Sequence, residues 1–284
     1  MSAVEARALT RRFGDFVAVD TVDLTVDAGE VVGVLGANGA GKTTLMRLVL
    51  GLLAPSAGSV LLFGLAPSRE TRRRIGYLPQ GLGLYRDLTA AENLEFAAAA
   101  FGITAQAPPP AAGGAVVGRL PLGVQRQVAF AAALQHRPEL LVLDEPTSGV
   151  APLTRARFWE RIREQAAAGT AVAVTTHYMD EARQADRLVL MARGRVVAEG
   201  READIVGAAR AAVVLSPNWR EAFSALEAAG WAASLAGREV RLPGADPGRV
   251  QEVLAAAGVP AQVTSAPATL EEAMVLVAGP PVPG

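Results

Sequence analysis

The residues with the clearest capacity for chemistry are Gly36, Gly41, Lys42 and Thr43. They stand at the fixed places of the pattern G-x-x-x-x-G-K-[ST] within Gly36-Ala37-Asn38-Gly39-Ala40-Gly41-Lys42-Thr43-Thr44. Backbone N–H groups in such a loop, at a helix N-terminus, cradle phosphate oxygens, and the helix dipole favours their charge. Lys42 is the only lysine in the chain; the other long basic residues are all arginine. The exception falls where a compact ammonium must fit between phosphates, a place that a wide planar guanidinium does not suit. Thr43 offers a hydroxyl to a phosphate-bound Mg²⁺, which also needs a carboxylate. Asp144 and Glu145, at the end of the apolar run Leu140-Leu141-Val142-Leu143, supply one carboxylate for the metal and one to orient an attacking water. The bland alternatives are a glycine-rich turn before an ordinary helix and a plain strand end. The coincidence of both motifs weighs against them.

These residues need elements to hold them. The β-branched run Val31–Leu35 leads into the loop, and residues 44–50 lead out at helical spacing. Residues 4–9 and 21–26 alternate apolar and polar side chains, which predicts an antiparallel N-terminal β layer. Further strands are expected over 59–63, 75–78, 140–144, 170–175, 188–191 and 196–198. Helices are expected over 92–100, 122–135, 154–168 and 179–185. This βα alternation predicts an α/β fold, a P-loop NTPase with a mainly parallel central sheet and its ligands at the strands' carboxyl ends. The basic stretch Arg69–Arg74 reads as a solvated helix face, and the Ala/Pro/Gly stretch 105–114 as an exposed linker. His136 reads as a surface residue at a helix end.

Beyond Arg210 the order is strand, helix, strand, strand, helix, strand, which predicts a small α+β, ferredoxin-like domain. A last helix over Leu270–Val277 precedes a Pro/Gly tail. No nucleotide or metal motif follows residue 210, so a packing or regulatory module is expected there. The predicted domains are 1–210, with a helical subdomain at about 85–138, and 211–284.

The 284 residues are 51% hydrophobic and 19% charged, a globular composition with room for a sizeable core. A net charge of −1 argues against a nucleic-acid backbone as the main partner. The absence of cysteine excludes disulfides and thiolate chemistry. The N-terminus shows no signal-peptide pattern, and no apolar run is long enough to span a bilayer.

Four segments in order carry a family resemblance: the 36–44 loop, Tyr77-Leu78-Pro79-Gln80, Leu143-Asp144-Glu145-Pro146-Thr147-Ser148-Gly149, and Thr175-Thr176-His177-Tyr178-Met179-Asp180-Glu181-Ala182. From Phe13 to about Gly200 the chain resembles the ATPase subunit of an ATP-binding cassette (ABC) transporter, of the exporter, multidrug-type branch. The resemblance implies ATP and Mg²⁺ as ligands, with Phe13 on the adenine. Gln80 would sense metal and γ-phosphate, Asp144 support Mg²⁺, Glu145 polarise water and His177 contact the γ-phosphate. It also implies a cytoplasmic subunit, peripheral on the cell membrane through a permease and paired with itself or another cassette, with no nucleic acid.

Three departures stand out. Where the family has Leu-Ser-Gly-Gly-Gln facing the opposite subunit's nucleotide, this chain has Leu120-Pro121-Leu122-Gly123-Val124. Pro121 lacks both hydroxyl and N–H. A Leu-Pro-Leu-Gly form also occurs in one exporter branch. Ala151 replaces the aspartate that joins the two sites, and the segment between Gly102 and Leu120 is short, which implies a reduced helical subdomain. The alternatives are a slow member of a heterodimeric pair and a soluble, non-transport cassette. The second fits poorly with a single, slightly acidic chain.

Overall fold

A computed structural model describes residues 2–278; the Pro/Gly tail lies outside the described residues. Within the chain, Met1–Glu199 and Gly200–Gly284 form two compact units. The division falls ahead of the change in sequence character at Arg210, because the short helix after Gly200 packs against the last helix of the second unit.

The first unit opens with a hairpin, β1 (Ser2–Phe13) and β2 (Phe16–Asp27), turned at Gly14-Asp15. Both strands run past the alternating segments, and the aromatic tip is left exposed: Phe13 is 47% and Phe16 64% accessible. Register shifts between Ala6 and Arg11 break the simple alternation, and Ala8 and Thr21 there have φ of 47° and 54°. Next come β3 (Val31–Leu35), α1 (Lys42–Val49) and β4 (Ala57–Leu62). β4 joins the hairpin to give the three-stranded antiparallel order β2-β1-β4.

The chain continues through α2 (Arg69–Arg72), β5 (Ile75–Leu78), α3 (Ala90–Phe101) and α4 (Leu122–Leu134). It then runs through β6 (Leu140–Asp144), α5 (Pro152–Ala167), β7 (Ala171–Thr176), α6 (Met179–Ala182), β8 (Arg187–Ala192) and β9 (Arg195–Gly200). The central sheet has the order β5-β6-β7-β3-β8-β9, parallel between β5 and β6, β6 and β7, β7 and β3, and β3 and β8. Because successive strand residues point to opposite faces, its apolar runs feed two cores. Val32, Val34, Leu140 and Val142 meet α1 and the antiparallel layer. Val31, Leu141 and Leu143 meet Phe130 of α4 and Phe158, Trp159 and Ile162 of α5.

The helical part is reduced to α3 and α4 with two 3₁₀ turns between them, at Pro110–Ala112 and Val117–Arg119. α3 begins earlier than the apolar spacing suggests, because Thr89 and Glu92 form a capping box. The stretch 105–114 is more than an exposed linker: Ala112 is buried with Ala90, Val117 and Val128. Arg74 is likewise not simply solvated. It forms two 2.6 Å hydrogen bonds to Glu139 and lies 3.7 Å from the Phe63 ring centroid.

In the second unit, α7 (Glu202–Val206) precedes β10 (Arg210–Leu215), α8 (Trp219–Ala228), β11 (Ser234–Ala236), β12 (Glu239–Pro243), α9 (Pro247–Ala256), β13 (Gln262–Pro267) and α10 (Leu270–Ala278). The order β11-β12-β10-β13, antiparallel throughout, is the split βαβ arrangement of a ferredoxin-like sheet. β11 starts after Trp231 because that ring packs against the core and the residue's backbone N–H donates to the Leu226 carbonyl, closing α8.

Candidate nucleotide site

Parallel pairing puts the carboxyl ends of β3, β6 and β7 at one edge: Leu35 lies opposite Thr176, and Asp144 opposite Thr175. The 36–44 loop leaves that edge in a path only glycine permits at two points. A Cβ on Gly36 would lie 2.4 Å from the Met191 carbonyl oxygen, and one on Gly41 2.4 Å from that of Ala18. Gly41 also has φ of 101° just ahead of α1. Within the loop, Lys42 Nζ donates to the carbonyls of Gly36 (2.7 Å) and Ala37 (3.1 Å). Burial pushes the Lys42 pKa down, while the nearby Glu145 and Asp144 oppose that shift.

A cavity of about 300 Å³ opens over the loop, lined by Asn38, Gly39, Ala40, Gly41, Lys42, Thr43 and Thr44 together with Gln80 and Glu145. Glu145 gathers the remaining polar groups. Its Oε2 accepts from Gln80 Nε2 at 3.4 Å, and its Oε1 lies 3.4 Å from His177 Nδ1 and 3.9 Å from Lys42 Nζ. Asp144, 1% exposed, accepts from Thr43 Oγ1 (3.2 Å) and Thr175 Oγ1 (2.6 Å) through the same Oδ1. Its Oδ2 is buried with no hydrogen-bond partner among the described residues. An orphaned carboxylate oxygen beside a threonine hydroxyl suits a hard cation whose other ligands are phosphate and water oxygens, so these residues fit Mg²⁺. Among the described residues no cluster of three or more acidic, histidine or cysteine side chains offers an all-protein metal cage.

The structure thus brings together Lys42, Thr43, Gln80, Asp144, Glu145 and His177. It does not bring Phe13 to the cavity. The ring on the cavity wall is Phe16, across the hairpin, and the Phe13 ring lies 4.6 Å from the Arg11 guanidinium. Leu120, Pro121, Leu122 and Gly123 do not line the loop cavity of their own chain either; Pro121 caps α4 without a side-chain hydrogen bond. His136 is half-buried rather than a surface residue. It stacks on Phe101 at 3.8 Å, and its Nε2 lies 3.0 Å from the Ile75 carbonyl oxygen.

Several positioning groups escaped the sequence reading. Thr175 bonds Asp144 and also accepts the Glu145 N–H at 2.9 Å. Glu181, 2% exposed, takes hydrogen bonds from Thr147 and from Thr176 (2.8 Å) and pairs with Arg155 at 3.2 Å. From α6 it thereby ties the loop after β6 to the end of β7. The available signal was an acidic residue beside the apolar Ala182 in a segment already singled out for His177.

Similarity to known proteins places the chain in a family. The family profile described as "ABC transporter" matches residues 19–148. The chain is 40% identical over 219 residues to the "Probable multidrug ABC transporter ATP-binding protein YbhF" of Escherichia coli, covering 72% of this chain but only 38% of that protein's length. It is 41% identical over 216 residues to the "Nod factor export ATP-binding protein I" of Burkholderia lata, covering 70% of this chain and 71% of that one. A solved "ATP binding subunit of ABC transporter" superposes with TM-score 0.65 at 30% identity, over 72% of this chain and 91% of the other. The dimeric, post-hydrolysis ATP-binding cassette MJ0796 bound to ADP and Pi superposes with TM-score 0.64 at 25% identity, over 70% and 98%. With this degree of likeness along most of a relative's length, and the cassette fold beneath it, the chain belongs to the ABC transporter family and carries its ATP-binding cassette.

Proposed function

We propose that the chain binds MgATP on the 36–44 loop and hydrolyses it, and that two cassettes closing on their nucleotides drive export through a separate membrane permease at the cytoplasmic face. The observation that carries this reading is the convergence of Lys42, Thr43, Gln80 and Glu145 on one cavity, with Asp144 behind it against Thr43 and His177 against Glu145. Phosphoryl transfer asks mainly for positioning and charge neutralisation, and these residues offer both. Lys42 exchanges its two loop carbonyls for phosphate oxygens. Glu145 orients the attacking water, and Gln80 and His177 flank that carboxylate from two sides. Thr43, Asp144 and Gln80 would hold Mg²⁺, which when bound would supply positive charge to offset that of the phosphates. Phe16, exposed on the cavity wall, offers an aromatic face for the base. The names of the two relatives, one multidrug and one Nod factor export, favour the export direction.

Pro121 and Ala151 support a second reading, in which the chain is the slower member of a heterodimeric pair. Neither side chain carries a hydrogen-bonding group, and both stand just ahead of a helix, α4 and α5. Steady-state ATP turnover separates the two. The first reading expects Mg²⁺-dependent hydrolysis that EDTA abolishes and that changes little in Pro121→Ser/Ala151→Asp. The second expects slow turnover that rises severalfold in that variant. No Mg²⁺-dependent turnover in either protein, alone or with the permease, contradicts both.

A further inference from the structure

Glu145 has a backbone that its own chemistry does not explain. Its φ is 49°, in the left-handed region that a glutamate adopts at a steric disadvantage. Such a conformation persists only when its surroundings hold it. On the amide side, the Glu145 N–H donates to Thr175 Oγ1 (2.9 Å) and to the Thr175 carbonyl (3.2 Å). On the carbonyl side, the Ser148 N–H donates at 3.3 Å and, among the described residues, one side-chain donor reaches it at shorter range: Nη1 of Arg126, at 3.0 Å. Arg126 belongs to α4, and its side chain runs inward to end beside the site.

That guanidinium is placed against its own solvation. Arg126 is 5% exposed, and its Nε is buried with no hydrogen-bond partner among the described residues. Burial lowers its pKa, offset by the nearby charge of Glu145 and Glu181. A buried arginine with an unsatisfied nitrogen is an expensive way to fill space on an alanine-rich helix. Its bonded nitrogen goes to one atom, the carbonyl oxygen of the residue whose carboxylate faces the loop. Arg126 also lines the cavity of about 310 Å³ between α4 and the Gln80 segment, so it lies where α4 meets the elements around the site.

We infer that Arg126 is a positioning residue for Glu145: it holds the left-handed carbonyl and so makes the placement of the Glu145 carboxylate depend on the position of α4. The helix that carries Leu120–Gly123 toward an opposite subunit would thereby also set the hydrolytic geometry of its own. When α4 shifts, the Arg126 donor leaves the carbonyl, and Glu145 loses the one side-chain hold on that side. This inference rests on the reading of Glu145 as the residue that orients water.

The test is a kinetic cycle on the full chain with wild type, Arg126→Met, Arg126→Lys, Glu145→Gln and Arg126→Met/Glu145→Gln. Positioning through Glu145 predicts a fall in kcat of about tenfold or more in Arg126→Met, with KM and the MgATP Kd within about twofold of wild type. It also predicts no further loss when Arg126→Met is added to Glu145→Gln, whereas a general packing defect lowers the residual rate again. Arg126→Lys keeps the charge but not the fixed planar fork, so it falls between wild type and Met. If Met does not fold, Lys alone decides: reduced kcat at unchanged Kd supports the inference, and wild-type kcat overturns it. If wild type and Glu145→Gln turn over alike, the hydrolytic reading of Glu145 falls first. The crystal structure of Arg126→Lys then decides the positional claim on its own. Glu145 leaving the left-handed region supports it; Glu145 unchanged, with its carboxylate still between Gln80 and His177, overturns it.

Discussion

Asp144 and Glu145 are adjacent in sequence but solve different problems. Asp144 is held rigidly through one oxygen and keeps the other free of the protein, while Glu145 stands among three potential partners at 3.4–3.9 Å. Thr175 serves both, giving its hydroxyl proton to Asp144 and accepting the Glu145 N–H. Thr175→Val preserves shape and removes both bonds, leaving Asp144 Oδ1 with the Thr43 hydroxyl alone and the Glu145 N–H with only its longer bond to the residue-175 carbonyl. Loss of about 2 kcal/mol in urea unfolding is expected, since bonds to charged groups contribute about 1.5–3 kcal/mol. Turnover should fall about tenfold at unchanged ATP affinity, and wild-type turnover would remove Thr175 from the account. At this scale the loop and the two carboxylates were legible, because their chemistry demands particular residue types at fixed spacing. Thr175, Arg126 and Phe16 were not, because their roles depend on which strands and helices become neighbours. The 144–175 adjacency exists only once β6 pairs with β7.

The elements were legible where periodicity alone decides. The fully buried runs 31–35 and 140–144 formed strands as expected, since parallel strands covered on both faces read as continuous apolar runs. The helical part was harder to read. Its ends are set by caps such as Thr89–Glu92, and its short connection folds back through Ala112 instead of trailing in solvent. His136 belongs to the same difficulty: nothing in its local sequence announces that Phe101 will stack on it. Burial lowers its pKa from 6.5, outweighing the opposing hydrogen bond to the Ile75 carbonyl, and its Nδ1 has no acceptor to receive a second proton. The fold therefore favours neutral imidazole. The stability this preference contributes is full above pH 6.5, where folded and unfolded chains are both neutral. It is lost as pH falls below 6.5 toward the lower folded value, because the unfolded chain takes up the proton first. Urea unfolding midpoints between pH 7.5 and 5.5 should drop more steeply for wild type than for His136→Gln. Parallel profiles would contradict this role for the joint between α3, α4 and β5.

As a whole molecule, the chain joins a cassette whose chemistry is written in its sequence to a second unit whose chemistry is not. The ferredoxin-like unit was readable as a topology, since its βαββαβ order closes in the expected β11-β12-β10-β13 sheet. Its buried ion pair, Arg241 with Glu272, is tied into β12 and α10 and is structural in character. Among the described residues no helix is long and apolar enough to cross a membrane. The chain spans 38% of the length of its E. coli relative. The central claim is narrower: the cavity over the 36–44 loop hydrolyses ATP through Glu145. Steady-state hydrolysis by Glu145→Gln beside wild type, with the MgATP Kd of each, tests it most directly. The account predicts kcat lowered about a hundredfold or more with Kd within a few-fold, as expected when a group that positions or activates the nucleophile is removed. Turnover in Glu145→Gln at the wild-type rate would contradict it.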